Sequence, residues 1–91
     1  MRIRYTEEAI ADVEEILSYI ALRNSTAAEV VDEVIELTVA RIASFPYSAQ
    51  ATDEPGVRMA PAGRFPYLIF YSVVRNAVWI LRVRHAARLR P

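Results

Sequence analysis

The sequence predicts an α+β domain in the order β-α-α-β-β-β, with an antiparallel helix hairpin packed on a small antiparallel sheet. Three observations predict it. Residues 6 to 45 carry apolar side chains at helical spacing in two blocks separated by Asn24-Ser25-Thr26. Residues 67 to 84 form two aromatic and β-branched runs split by Arg75-Asn76, and Arg2-Ile3-Arg4-Tyr5 alternates charge with apolar character. Ninety-one residues are enough for one hydrophobic core, so residues 1–91 are read as a single domain.

The alternation at Arg2 to Tyr5 describes a short, half-buried outer strand. Thr6 follows as an N-cap, and the charges of Glu7 and Glu8 suit the positive end of a helix. Ile10, Val13, Leu17 and Ile20, with Ala9 and Ile16, make the apolar stripe of a helix of about four turns. Thr26 with Glu29 three residues later has the capping-box pattern, which predicts a second helix starting there and ending at Phe45, before Pro46. Its apolar arc runs from Ala27 to Phe45 and includes Val30 and Leu37, wider than one sheet-facing stripe needs, so contacts to both the sheet and the first helix are expected.

Residues 47 to 66 hold three prolines and both glycines, a loop-rich crossover with room for a short strand at Val57-Arg58-Met59. Tyr67 to Val74 and Ala77 to Arg84 then read as a hairpin whose two-residue turn type is open, because Asn tolerates positive φ better than Arg does. Strict alternation on the second strand points Ala77, Trp79, Leu81 and Val83 one way and Val78, Ile80, Arg82 and Arg84 the other. His85 to Pro91 is a short basic tail.

A net charge of zero conceals an asymmetry. All 11 acidic residues fall in residues 1 to 54 with four arginines, whereas residues 55 to 91 hold seven arginines and no acid. Such a split describes either two halves that neutralise each other on folding or a surface that attracts anionic partners. Every basic residue is Arg, the side chain suited to bidentate carboxylate or phosphate contacts. The absence of cysteine excludes a disulfide scaffold, a thiolate zinc site and a cysteine nucleophile. One histidine beside carboxylates at helix-surface spacing offers no metal cluster, and no Gly-rich phosphate loop is present, so neither metal nor cofactor is expected. No apolar run exceeds five residues and no signal peptide precedes the first strand, which predicts a cytoplasmic protein without a membrane partner.

The chain resembles the RelE/ParE superfamily of bacterial type II toxin-antitoxin toxins, the plasmid-stabilisation toxins. The resemblance rests on Ala9-x-x-Asp12-x-x-x-Ile16-x-x-Tyr19-Ile20, on Ala27-Ala28 and Pro46, and above all on Arg64-Phe65-Pro66-Tyr67-Leu68-Ile69-Phe70-Tyr71 and Ile80-Leu81-Arg82-Val83-Arg84-His85-Ala86-Ala87-Arg88. It implies a toxin neutralised by a cognate antitoxin, ParD-like: a DNA-binding dimer with a flexible tail, through which alone the toxin meets DNA. RelE-like members cut messenger RNA on the ribosome with sheet lysines and arginines and a tyrosine near the C-terminus, whereas ParE-like members act on DNA gyrase. Here there is no Lys, Leu68 stands near a RelE-like arginine position, and no Tyr follows Arg88, which places the chain on the ParE side.

The expected target-binding residues are Arg58, Arg64, Arg82, Arg84, His85, Arg88 and Arg90, because Val57 to Arg64 and Arg82 to Arg90 have no evident core role. The main expectation is a non-enzymatic gyrase inhibitor. As a ribonuclease the chain would draw on His85 as acid or base, with Arg84 and Arg88 holding the scissile phosphate. The bland alternative has His85 bonded to a carbonyl at a strand end, with Arg82 and Arg84 paired to helix acids. A third reading is a relic that keeps only antitoxin binding. Tyr67, Tyr71 and Trp79 are read as core residues facing the helices in preference to a base-stacking platform.

Overall fold

The computed structural model describes residues 1–89, with side chains to Ala87. Strand β1 (Arg2–Tyr5) leads into helix α1 (Glu7–Ala21), then α2 (Ser25–Ser44). A two-residue strand β2 (Gln50–Ala51), β3 (Arg58–Pro61), β4 (Tyr67–Val74) and β5 (Ala77–His85) follow, and a 3-10 turn spans Ala86–Leu89. The sheet order is β1-β5-β4-β3-β2.

The β-α-α-β-β-β order and the helix hairpin are as the sequence predicts, but the sheet is mixed. β2 to β5 pair antiparallel, whereas β1 pairs with β5 in parallel, Arg2 opposite Ala77 and Tyr5 opposite Ile80. The reversals of the β3-β4-β5 meander bring β5 alongside β1 running the same way, a relationship between distant segments that alternation within one strand does not encode. β1 is an edge strand, more open than predicted, with Ile3 and Tyr5 still 38% and 36% exposed.

Thr6 caps α1 by accepting the Ala9 N–H at 3.0 Å, as its position before two glutamates suggested. Ala9 is fully buried, Val13, Ile16, Leu17 and Ile20 pack on the core, and Ile10 stays exposed. The second helix starts earlier than the Thr26 capping box predicts. Asn24, extended at φ −160°, is the N-cap and accepts the Ala27 N–H at 3.0 Å, because an Asn side chain caps as well as Thr and lies nearer the point where α1 ends. α2 stops at Phe45 as expected. Its buried stripe is Ala28, Val31, Ile35, Val39 and Ile42, which leaves Val30 and Leu37 exposed despite the wide apolar arc.

The core joins Val31, Ile35, Val39 and Ile42 of that stripe to Ile69 and Tyr71 of β4 and to Val78, Ile80 and Val83 of β5. Tyr71 is buried and its hydroxyl donates to the Pro46 carbonyl at 2.7 Å, tying the sheet centre to the loop after α2. The β4–β5 turn has φ of 49° at Arg75 and 65° at Asn76, positive at both central residues as a type I′ hairpin requires.

One surface expectation fails here. Ala60 and Ala62 are buried, so the segment from Val57 to Arg64 contributes to the core as well as to the surface. The strand expected around Val57 to Met59 is present at Arg58–Pro61, shifted by one residue at its start, with Ala60 paired to Ile69.

Candidate functional site

The site is built around a break in the β5 ladder. Tyr71 pairs with Ile80 and Phe70 with Arg82, so Leu81 is an extra residue and the alternation shifts by one. Val78 and Ile80 face the helices before the bulge, and Val83 joins them after it, all three buried. The expected grouping of Val83 with Ala77, Trp79 and Leu81 is therefore corrected, and so is the idea that Arg82 to Arg90 lacks a core role. Trp79 is half-buried, paired with Ser72 and Arg4, and alternation puts it on the sheet face away from the helices. Of the three aromatics read as core residues, Tyr71 and Tyr67 pack there and Trp79 does not.

Beyond the bulge β5 and α1, from its middle onward, border a cleft of about 260 Å³. Asp12, Glu15, Ile16 and Tyr19 line it from α1, Tyr67 from β4, and Arg82, Val83, Arg84 and His85 from β5. Asp12 organises one wall. Its Oδ2 accepts Arg82 Nε at 2.8 Å and Val83 N–H at 2.9 Å, and its Oδ1 accepts Arg82 NH2 at 3.0 Å. Burial pushes the Asp12 carboxyl up, but the Arg82 hydrogen bond, the Val83 N–H and the charges of Arg82 and Arg84 outweigh it and hold the group below its usual range. The same pairing raises Arg82.

His85 lies edge-on to Tyr67, ring centroids 5.4 Å apart and planes at 87°. Its Nδ1 accepts the Ala87 N–H at 3.1 Å. The strand-end role foreseen for a structural histidine is thus filled by a backbone N–H donor, in place of the carbonyl acceptor expected from the sequence.

The sequence-predicted arginines divide into separate groups. Arg58 is committed inside the fold: it donates to Tyr47 O at 3.2 Å and Ala49 O at 2.7 Å and stacks over the Tyr47 ring at 5.4 Å. Arg82 is committed to Asp12, and Arg84 and His85 share the cleft. Arg64 is exposed in the turn before β4, away from that cleft. The Arg88 side chain and Arg90 lie outside the described residues. Asp12, Glu15, Tyr19 and Tyr67 are cleft residues that charge and motif alone do not assign to the site. For Asp12 and Tyr19 the available signal was their place in the Ala9-x-x-Asp12 segment, both on the α1 side facing β5.

Among the described residues no cluster of three acidic or histidine side chains is placed to hold a metal ion, and no helix is long and apolar enough to cross a membrane. The cleft presents two guanidiniums, one of them paired with Asp12, an imidazole, two phenol rings and the carboxylates of Asp12 and Glu15, which suits recognition of a mixed polar and aromatic protein surface.

Residues 3–90 match the model of the ParE toxin of type II toxin-antitoxin systems, parDE. The chain belongs to the ParE toxin family. Among solved structures, the ParE-family fold recurs in a chain of a chromosomal ParDE TA system from P. aeruginosa, with a TM-score of 0.81 and 24% identity over 93% of this chain and 95% of that one. No curated protein matches it. Membership accounts for the helix hairpin on a β-sheet and makes this chain a ParE-type toxin of a type II toxin-antitoxin system.

Proposed function

We propose that this ParE-family toxin inhibits DNA gyrase in the cytoplasm through the basic wall of its cleft and is neutralised by a cognate ParD-like antitoxin. The observation that carries the reading is the pairing pattern of the arginines. Arg58 and Arg82 are held by intramolecular partners, and Arg84 with His85 stands at the open cleft, where a large partner can reach it. Arg64 adds an exposed positive charge before β4, and the target-binding expectation for Arg88 and Arg90 is kept on sequence alone. The antitoxin lays an apolar segment with acidic residues over the same half, covering the arginines and blocking the target by charge and bulk.

A second reading, a ribosome-dependent mRNA endoribonuclease, draws on His85 beside Arg84 in the cleft. The two separate on pulse-labelling of DNA and protein synthesis within minutes of induction, with and without the gene encoded next to this one. Early loss of DNA synthesis, reversed by the neighbouring gene, supports gyrase inhibition. Early loss of protein synthesis supports the ribonuclease, and no loss of either supports an antitoxin-binding relic.

A further inference from the structure

The ladder between β1 and β5 stops at Tyr5 and Ile80, yet β5 continues for five more residues to His85. From Leu81 onward β5 has no strand on that side, and outward-facing backbone groups there need other partners. The start of α1 supplies them. Thr6 N–H donates to Ile80 O at 3.0 Å and Thr6 Oγ1 to Leu81 O at 2.9 Å. Val83 N–H donates to Asp12 Oδ2 at 2.9 Å, while the same carboxylate takes the Arg82 fork. A single side chain thus holds the backbone of Val83 and the guanidinium of Arg82, the two residues that precede Arg84 and His85.

We propose that Asp12 is a positioning residue: by taking the Val83 N–H where a neighbouring strand would otherwise sit, it fixes the direction in which β5 delivers Arg84 and His85 to the cleft. This rests on the reading that those two residues meet the target. Asp12 acts through the Val83 N–H, and its ion pair with Arg82 is a separate contact made by the same carboxylate.

Two conservative variants separate this role from a plain ion pair. Asp12→Asn keeps one carbonyl oxygen to accept Val83 N–H but gives up the charge. Asp12→Glu keeps the charge for Arg82, and its extra methylene moves the carboxylate off the Val83 N–H. In the full-length chain, positioning predicts that Val83 amide exchange rises about tenfold in Asp12→Glu and less than about threefold in Asp12→Asn. It also predicts that the His85 ring resonances, set by the Tyr67 edge contact, shift in Asp12→Glu, and that growth arrest on induction ranks wild type and Asp12→Asn above Asp12→Glu. The opposite ranking, or unmoved Val83 and His85 signals in Asp12→Glu, overturns the proposal and leaves an ion-pair role. If the wild-type chain arrests no growth, the proposed gyrase-inhibiting activity fails on its own, and the Val83 and His85 signals still decide the positioning role.

Discussion

Asp12 and Arg82, seventy residues apart, meet in a two-point ion pair of 2.8 and 3.0 Å that joins the middle of α1 to the end of β5. An ion pair between the acidic and basic halves of the chain therefore sits at this point. That contact sits at the rim of the cleft, so the charge asymmetry of the sequence serves partly to hold the fold and partly to furnish a surface.

The Asp12 carboxyl has a folded value below its usual 3.8. A depressed carboxylate contributes stability that is fully present above the unfolded value and is lost as pH falls through the folded one. The stability gap between wild type and Asp12→Asn is expected to be constant from neutral pH down to about 3.8 and to close below it. Urea unfolding midpoints across that range measure the gap.

Gly63 and Gly56 both have positive φ, at 58° and 79°, but differ in surroundings. A Cβ on Gly63 would lie 3.0 Å from Val34 Cγ1, whereas one on Gly56 meets nothing within 4 Å. Gly56→Ala is expected to cost about 1 kcal/mol of backbone strain and Gly63→Ala roughly 1 kcal/mol more. Val34→Ala in the Gly63→Ala background relieves only the steric part, a coupling that a double-mutant cycle reads directly.

Arg75 occupies the first positive-φ position of the β4–β5 turn, where Asn-Gly is the favoured pair. Replacing Arg75-Asn76 with Asn-Gly is expected to raise stability by about 1 kcal/mol without altering growth arrest. Thermal denaturation of the two chains side by side checks it.

Tyr71→Phe removes the hydroxyl that donates to Pro46 O and leaves the carbonyl without that partner. The expected loss is on the order of 1 kcal/mol, against roughly 2–5 kcal/mol for Ile35→Ala, which empties core volume. Equal losses in the two variants would contradict the assignment of Tyr71 as a tether and Ile35 as core.

The helices and the β4–β5 hairpin were legible because helical and strand periodicities are local, and Thr6 and Phe45 mark their ends by local chemistry. What sequence could not give was set by distant pairing. The parallel docking of β1 on β5, the Leu81 bulge that turns Val83 into the core, and the burial of Ala60 and Ala62 each depend on register between separated segments. Composition and the lack of an evident core role mark the basic residues, but neither distinguishes Arg58, satisfied by two carbonyls, from Arg84 at the cleft. Asp12 was visible as one helix acid among several, and only the fold shows that it meets Val83 and Arg82.

The most direct test of the basic cleft wall as the target-binding surface is inhibition of DNA supercoiling by purified gyrase, comparing the wild-type chain with Arg84→Glu. The wild-type chain should inhibit supercoiling, and Arg84→Glu, folded as judged by circular dichroism, should need at least about tenfold more protein, since a reversed charge at a contact costs more than about 1.4 kcal/mol. Equal inhibition by the two chains, or none by the wild type, would contradict it.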